Sequence, residues 1–75
     1  MDKLEAAKKH YEGLAAEAEA TIDMYLYNSV GIGEHPGVME ELRNQIAKLG
    51  EARDGIDTIV TLQNRNKAEK KQLNG

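Results

Sequence analysis

The chain has 75 residues, no cysteine, three tyrosines as its only aromatic residues, and a net charge of −3. This composition excludes a disulfide-stabilised fold and a Cys/His zinc site. A lone domain of this size buries only about 60% of the surface of its unfolded chain. We therefore expect one thin-cored domain, spanning residues 1–75, that completes its core by self-association.

The start of the chain predicts a protein without a secretory leader or a membrane anchor. The sequence MDKLEAAKKH is charged from its second residue, and no apolar run approaches the ~20 residues that a membrane span needs. We expect a soluble, cytoplasmic protein.

Charge is unevenly distributed along the chain. Residues 1–63 contain twelve acids and six bases, a net −6, whereas residues 64–75 contain four bases and one acid, a net +3. The acidic body argues against broad nucleic-acid binding. The basic tail is most simply a solvated helix end, and contact with nucleic acid or an acidic partner is the alternative.

The first predicted element is a helix over residues 2–28. Apolar side chains recur there at alternating spacings of three and four, which is close to a heptad pattern. Charged residues occupy the other faces, and alanines between positions 6 and 20 raise the helix propensity. The predicted stripe consists of Leu4, Ala7, Tyr11, Leu14, Ala18, Thr21 or Ile22, and Tyr25.

The connection is predicted as a loop over residues 29–35. Gly31 and Gly33 permit the positive φ values of a chain reversal. Pro36 suits the first position of a helix, and His35 before it suits the capping position.

A second helix is predicted over residues 36–67, followed by a basic tail at 68–75. Gly50 and Gly55 lie inside it, but the three-four alternation keeps its phase across them, which favours one continuous helix. The predicted stripe consists of Met39, Leu42, Ile46, Leu49, Arg53, Ile56 and Val60.

So short a connection predicts an all-α, antiparallel two-helix hairpin resembling a coiled coil. If the chain reverses at residues 32–34, residues at equal distances from the reversal lie opposite each other, so the numbers of two opposed residues sum to about 67. Arg53 then lies beside Leu14, and we expect its guanidinium to reach Glu12 or Glu17. The apolar residues left outside the seam predict an interface with another chain, made by Leu26, Val38, Ala52, Ile59 and Leu62.

No catalytic or metal signature emerges from the sequence. Gly31 and Gly33 before a helix only partly match a phosphate-binding loop, because a preceding strand, a third glycine and a Lys-Ser/Thr pair are missing. His10 is predicted at the far end of the hairpin from His35, so no second ligand converges on His35. We expect no enzyme activity, no metal and no cofactor.

The loop Ser29-Val30-Gly31-Ile32-Gly33-Glu34-His35-Pro36, followed by Met39-Glu40-Glu41 and the second stripe, resembles small helical-hairpin proteins encoded by tailed bacteriophages. The resemblance covers roughly the middle half of the chain and is specific only in the loop. It implies a viral origin, a host-cytoplasmic location, and a small assembly or host-modulating role, and it transfers no site.

These observations predict a non-enzymatic interaction or assembly protein that forms homo-oligomers and presents a helix face to a protein partner. The alternative is a small-ligand protein that binds or sequesters an anion or nucleotide. Its ligand would lie at Gly31, Gly33 and His35, beside the start of the second helix.

Overall fold

The computed structural model describes residues 2–27 and 36–74, with side chains described for 2–27 and 37–70. These residues form two helices, α1 over Lys3–Tyr27 and α2 over Pro36–Asn74, and no strand lies within those ranges. The predicted start at Pro36 and continuity through Gly50 and Gly55 are confirmed. Helix α2 continues to Asn74, beyond the expected end near residue 67. The predicted loop at 29–35 lies outside the described residues.

Helix α1 begins with a side-chain cap. Asp2 precedes the helix, and its Oδ1 accepts a hydrogen bond of 2.8 Å from the backbone N–H of Glu5. Its carbonyl oxygen accepts a second bond, of 3.1 Å, from the N–H of Ala6. Because the first N–H groups of a helix have no partner within the helix, this arrangement satisfies one of them and stabilises the start of α1.

The two helices pack antiparallel along most of α1. Glu5 near the start of α1 contacts Gln63 late in α2, whereas Glu19 further along α1 contacts Arg53 earlier in α2. Residue numbers therefore rise along one helix as they fall along the other. The predicted all-α hairpin is confirmed. It forms a rod with extents of 61 × 18 × 16 Å.

The seam between the helices is centred on small side chains. Among the described residues the buried ones are Ala18, Ala52 and Ile59, which are 3%, 2% and 6% exposed. Small side chains such as alanine in a seam let two packed helix backbones come near each other. Around these three lie half-buried side chains at spacings of three and four, namely Leu4, Lys8, Tyr11, Ala15, Ile22 and Tyr25 in α1 and Val38, Leu42, Gln45, Leu49, Ile56 and Gln63 in α2.

The predicted seam was wrong at alternate positions. Helix α2 turns Ala52 and Ile59 towards α1, and the expected seam residues Met39, Ile46, Arg53 and Val60 are exposed instead. In α1 the same change replaces Leu14 by Ala15. At each of these positions the residue that packs is the sequence neighbour of the predicted one, and the positions between them are as predicted. Neighbouring residues are separated by ~100° around a helix, so the buried face as a whole is turned by about half that angle. The predicted pairing sum near 67 agrees with the Glu5–Gln63 contact.

Tyr11 packs against Gly55 across the seam. A Cβ atom placed on Gly55 would lie 2.9 Å from Cε1, Cε2 and Cζ of the tyrosine ring, which is closer than carbon atoms normally approach. Glycine at this position therefore provides the space for the ring. At Gly50 a Cβ atom would meet nothing within 4 Å, so that glycine has no packing role of this kind.

Candidate interaction surface

One long edge of the hairpin is marked by an ion pair between the helices. Nη2 of Arg53 donates to Oε1 of Glu19 at 3.1 Å, and both side chains are more than half exposed. The predicted partners Glu12 and Glu17 are wrong. Glu12 lies two turns before Glu19 in α1, and Glu17 lies on a different face of the helix. We call this side of the rod the Arg53 edge.

The Arg53 edge carries exposed apolar side chains at seven-residue intervals in α2. Met39, Ile46 and Val60 are 57%, 53% and 37% exposed, and each is separated from Arg53 by seven residues or fourteen. Seven residues make nearly two full turns of a helix, so these side chains lie on the same side. Lys67 continues the same row and is exposed. The sequence shows the seven-residue spacing but predicts these side chains in the seam rather than at an exposed edge.

Leu26 of α1 belongs to the same edge. It follows Glu19 by seven residues and so lies on the same side of α1, and the Glu5–Gln63 pairing places it level with the stretch of α2 between Met39 and Ile46. Leu26 is 53% exposed. Together Leu26, Met39 and Ile46 make an apolar patch on the part of the edge nearest the chain reversal.

The other residues predicted for an interface are covered within the chain to different degrees. Ala52 and Ile59 are buried between α1 and α2, so they are not available to a partner, and their assignment to an intermolecular interface was wrong. Val38 and Leu62 are half-buried. Of the five predicted interface residues, Leu26 alone is exposed. The other four lie in α2 and are buried or half-buried.

The opposite edge forms a shallow groove of about 450 Å³. Leu14, which is 41% exposed, stands on one wall, and Lys48 stands on the other. Ala18 and Ala52 form its floor, and Glu17 and Glu51 contribute acidic side chains. We call it the Leu14 groove. It has fewer large apolar side chains than the Arg53 edge.

A wider cleft of about 1050 Å³ lies where α2 extends past the start of α1. Its lining includes four lysines, which are Lys3, Lys8, Lys67 and Lys70. The acidic side chains beside them have partners in the chain. Oε2 of Glu5 accepts a 3.0 Å bond from Nε2 of Gln63, and Oε1 of Glu69 lies 4.0 Å from Nε of Arg65. This end of the rod is therefore its basic end.

The residues predicted for ligand binding, Gly31, Gly33 and His35, lie outside the described residues. His10 is exposed in α1 and its ring lies edge-on to that of Tyr11, with centroids 6.0 Å apart. Within 2–27 and 36–74, no group of three or more His, Asp or Glu side chains is placed to hold a metal ion.

No protein-family model matches the chain, and no match was found among curated proteins or among solved structures. In the described part of the chain, neither helix is long and apolar enough to cross a membrane.

Proposed function

We propose that this protein is a non-enzymatic assembly protein, a helical hairpin that associates with copies of itself through the Arg53 edge. The observation that carries the proposal is the exposed patch of Leu26, Met39 and Ile46, three large apolar side chains that are each about half exposed on one side of a rod. Contiguous exposed apolar side chains are typical of surfaces that another protein covers.

The shape of the chain supports the same proposal. Its accessible surface is 5959 Å² for a mass of 8.3 kDa, whereas a globular monomer of that mass exposes about 4600 Å². An extended rod with few buried side chains gains little hydrophobic stabilisation as a monomer. Association would cover apolar surface that the hairpin cannot bury alone.

The assembled form is further proposed to present a helix face to a protein partner. The resemblance of the segment 29–36 to helical-hairpin proteins of tailed bacteriophages favours a phage-encoded assembly or host-modulating role. Binding of an anion or nucleotide at Gly31, Gly33 and His35 remains a separate prediction, and no feature of the described residues favours it.

Light scattering coupled to size-exclusion chromatography tests the proposal. We expect a mass above 8.3 kDa that falls towards the monomer on dilution. Ile46→Glu should shift the protein to the monomer, because a charge at the centre of the apolar patch loses its solvation on association. Circular dichroism should show that the helices are retained, since Ile46 is half exposed in the hairpin.

Met24→Glu is the matched control. Met24 is 49% exposed, which is similar to Ile46, but it lies two residues from Leu26 and so on nearly the opposite side of α1. We expect this variant to keep the mass of the original protein. A monomeric mass for the unmodified chain would contradict the proposal. Dissociation by Leu14→Glu and not by Ile46→Glu would instead assign the interface to the Leu14 groove.

A further inference from the structure

The rod is electrically polarised along its length. The Glu5–Gln63 contact places the start of α1 and the last turns of α2 at the same end. Residues 1–10 contain three lysines and two acids, a net +1, and residues 64–75 add a net +3, so this end carries +4. Residues 11–63 contain ten acids and three bases, a net −7. One end of a 61 Å rod is therefore basic, and the rest is acidic.

The positive charge at the basic end is available to a partner. Within the described side chains, no carboxylate forms an ion pair with Lys3, Lys8, Lys67 or Lys70. Lys67 also belongs to the Arg53 edge, since it follows Val60 by seven residues. The proposed interface thus runs from an apolar patch near the chain reversal to a lysine at the basic end.

We propose that the occupant of the Arg53 edge is a second copy of the chain in antiparallel orientation, with its basic end beside the acidic body of the first. This inference rests on the proposed self-association and adds its direction. In a parallel pair the two basic ends, each with a net charge of +4, would lie side by side, and so would the two acidic bodies, each with a net charge of −7. Packed helices lie 8–10 Å apart, which is about one Debye length at physiological salt, so charges on neighbouring rods act on each other mainly where they are level.

The row of side chains on the edge selects a register for the antiparallel pair. Placing the two-fold axis next to Arg53 brings Ile46 of each copy level with Val60 of the other. The same register sets Lys67 against the second copy's Met39, with its ammonium group within reach of Glu40. At the axis two Arg53–Glu19 ion pairs meet, and together these four side chains are neutral. The two α2 helices overlap along nearly their whole length, and their dipoles oppose each other.

Distance measurements between labelled chains test the orientation. The chain has no cysteine, so Asn44→Cys and Asn64→Cys each create a single labelling site, and both positions are exposed. In the proposed register, labels at 44 on both copies are separated along the rod by about 27 Å, and labels at 64 by about 33 Å. A mixed pair, 44 on one copy and 64 on the other, is separated along the rod by only about 3 Å.

Energy transfer between a donor and an acceptor whose Förster distance is shorter than the same-site separations should therefore be strong for the mixed pair and weak for both same-site pairs. Parallel association predicts the reverse, because same-site labels would then be level and mixed labels about 30 Å apart along the rod. Strong same-site transfer would overturn the orientation while leaving the proposed self-association intact. A monomeric mass at every concentration would overturn the self-association itself, and the orientation with it.

Charge reversal tests whether the basic end selects the direction. Lys67→Glu should raise the dissociation constant several-fold and flatten its dependence on salt, because an attraction to Glu40 of the second copy becomes a repulsion. Adding Glu40→Lys to the same chain should restore association. Lys48→Glu makes the same charge change in the Leu14 groove and should leave the dissociation constant unchanged. Failure of the second substitution to restore association would overturn the role of this charge pair.

Discussion

At the scale of single residues, three of the glycines within the helices have different surroundings. Gly55 faces the ring of Tyr11, whereas Gly13 and Gly50 face open space. Glycine inside a helix costs about 1 kcal/mol relative to alanine. At Gly55 this cost is offset by the close packing of an aromatic ring, and at Gly50 the described residues provide no such contact.

We predict opposite effects of alanine at two of these positions. Gly50→Ala should raise the free energy of unfolding by up to about 1 kcal/mol, since the new methyl group meets nothing. Gly55→Ala should lower it, because overpacking a filled site typically costs about 1–3 kcal/mol and exceeds the helix gain. Urea denaturation at one fixed protein concentration measures both.

Tyr11→Leu supplies the control for the glycine comparison. Combined with Gly55→Ala, it removes the ring that the methyl group would strike, so the added cost of the alanine should largely disappear. If Gly55→Ala alone were as stabilising as Gly50→Ala, the ring of Tyr11 would not be packed against residue 55.

At the scale of helices, the two lengths differ enough for the end of α2 to extend past the start of α1. Helix α1 has 25 residues and α2 has 39, which correspond to about 38 and 58 Å. The Glu5–Gln63 contact lies close to the start of α1, so the last turns of α2 extend beyond it. Residues 64–70 are exposed, and the Arg65–Glu69 pair there is a surface pair of small energetic weight.

Deleting residues 68–75 tests whether the last turns of α2 are helical and exposed. Because residues 68–74 are helical, the deletion should remove about one tenth of the helical signal in the far-ultraviolet circular dichroism spectrum. The free energy of unfolding should change little, since residues 68–70 are exposed and the segment lies at the chain end, beyond the Glu5–Gln63 contact. An unchanged helical signal would contradict the helix, and a large loss of stability would show that the segment packs against another copy.

Sequence periodicity predicted the helices and their antiparallel pairing but could not select the seam. Alternate seam positions offered two neighbouring apolar choices, such as Val38 or Met39 and Ile59 or Val60, and a three-four alternation fits either series. Burial of hydrophobic area alone favours the larger side chain at each of these positions. In the structure Ala18, Ala52 and Ile59 are buried in the seam, and Met39, Ile46 and Val60 are exposed at the edge. The exposed patch could not be predicted until the seam was known.

At the scale of the whole molecule, shape and stability are coupled. The radius of gyration is 17.8 Å, compared with about 11 Å for a compact chain of 75 residues. A rod of this kind has a seam but little interior, since the described residues include only three that are buried. Stability should therefore depend on how much of the Arg53 edge a second copy covers.

The thermal midpoint should consequently rise with protein concentration. When folding and association are coupled, mass action stabilises the folded dimer, and a tenfold increase in concentration contributes about 1.4 kcal/mol. With an unfolding entropy of about 2.1 cal/mol/K per residue over two chains, this corresponds to a rise of about 4 °C. Ile46→Glu should lower the midpoint and remove its dependence on concentration, whereas Met24→Glu should retain that dependence. Differential scanning calorimetry over a hundredfold range of concentration measures all three proteins. A midpoint that stays constant for the unmodified chain, together with a monomeric mass, would show that the two-helix seam is sufficient by itself and that the exposed edge has another purpose.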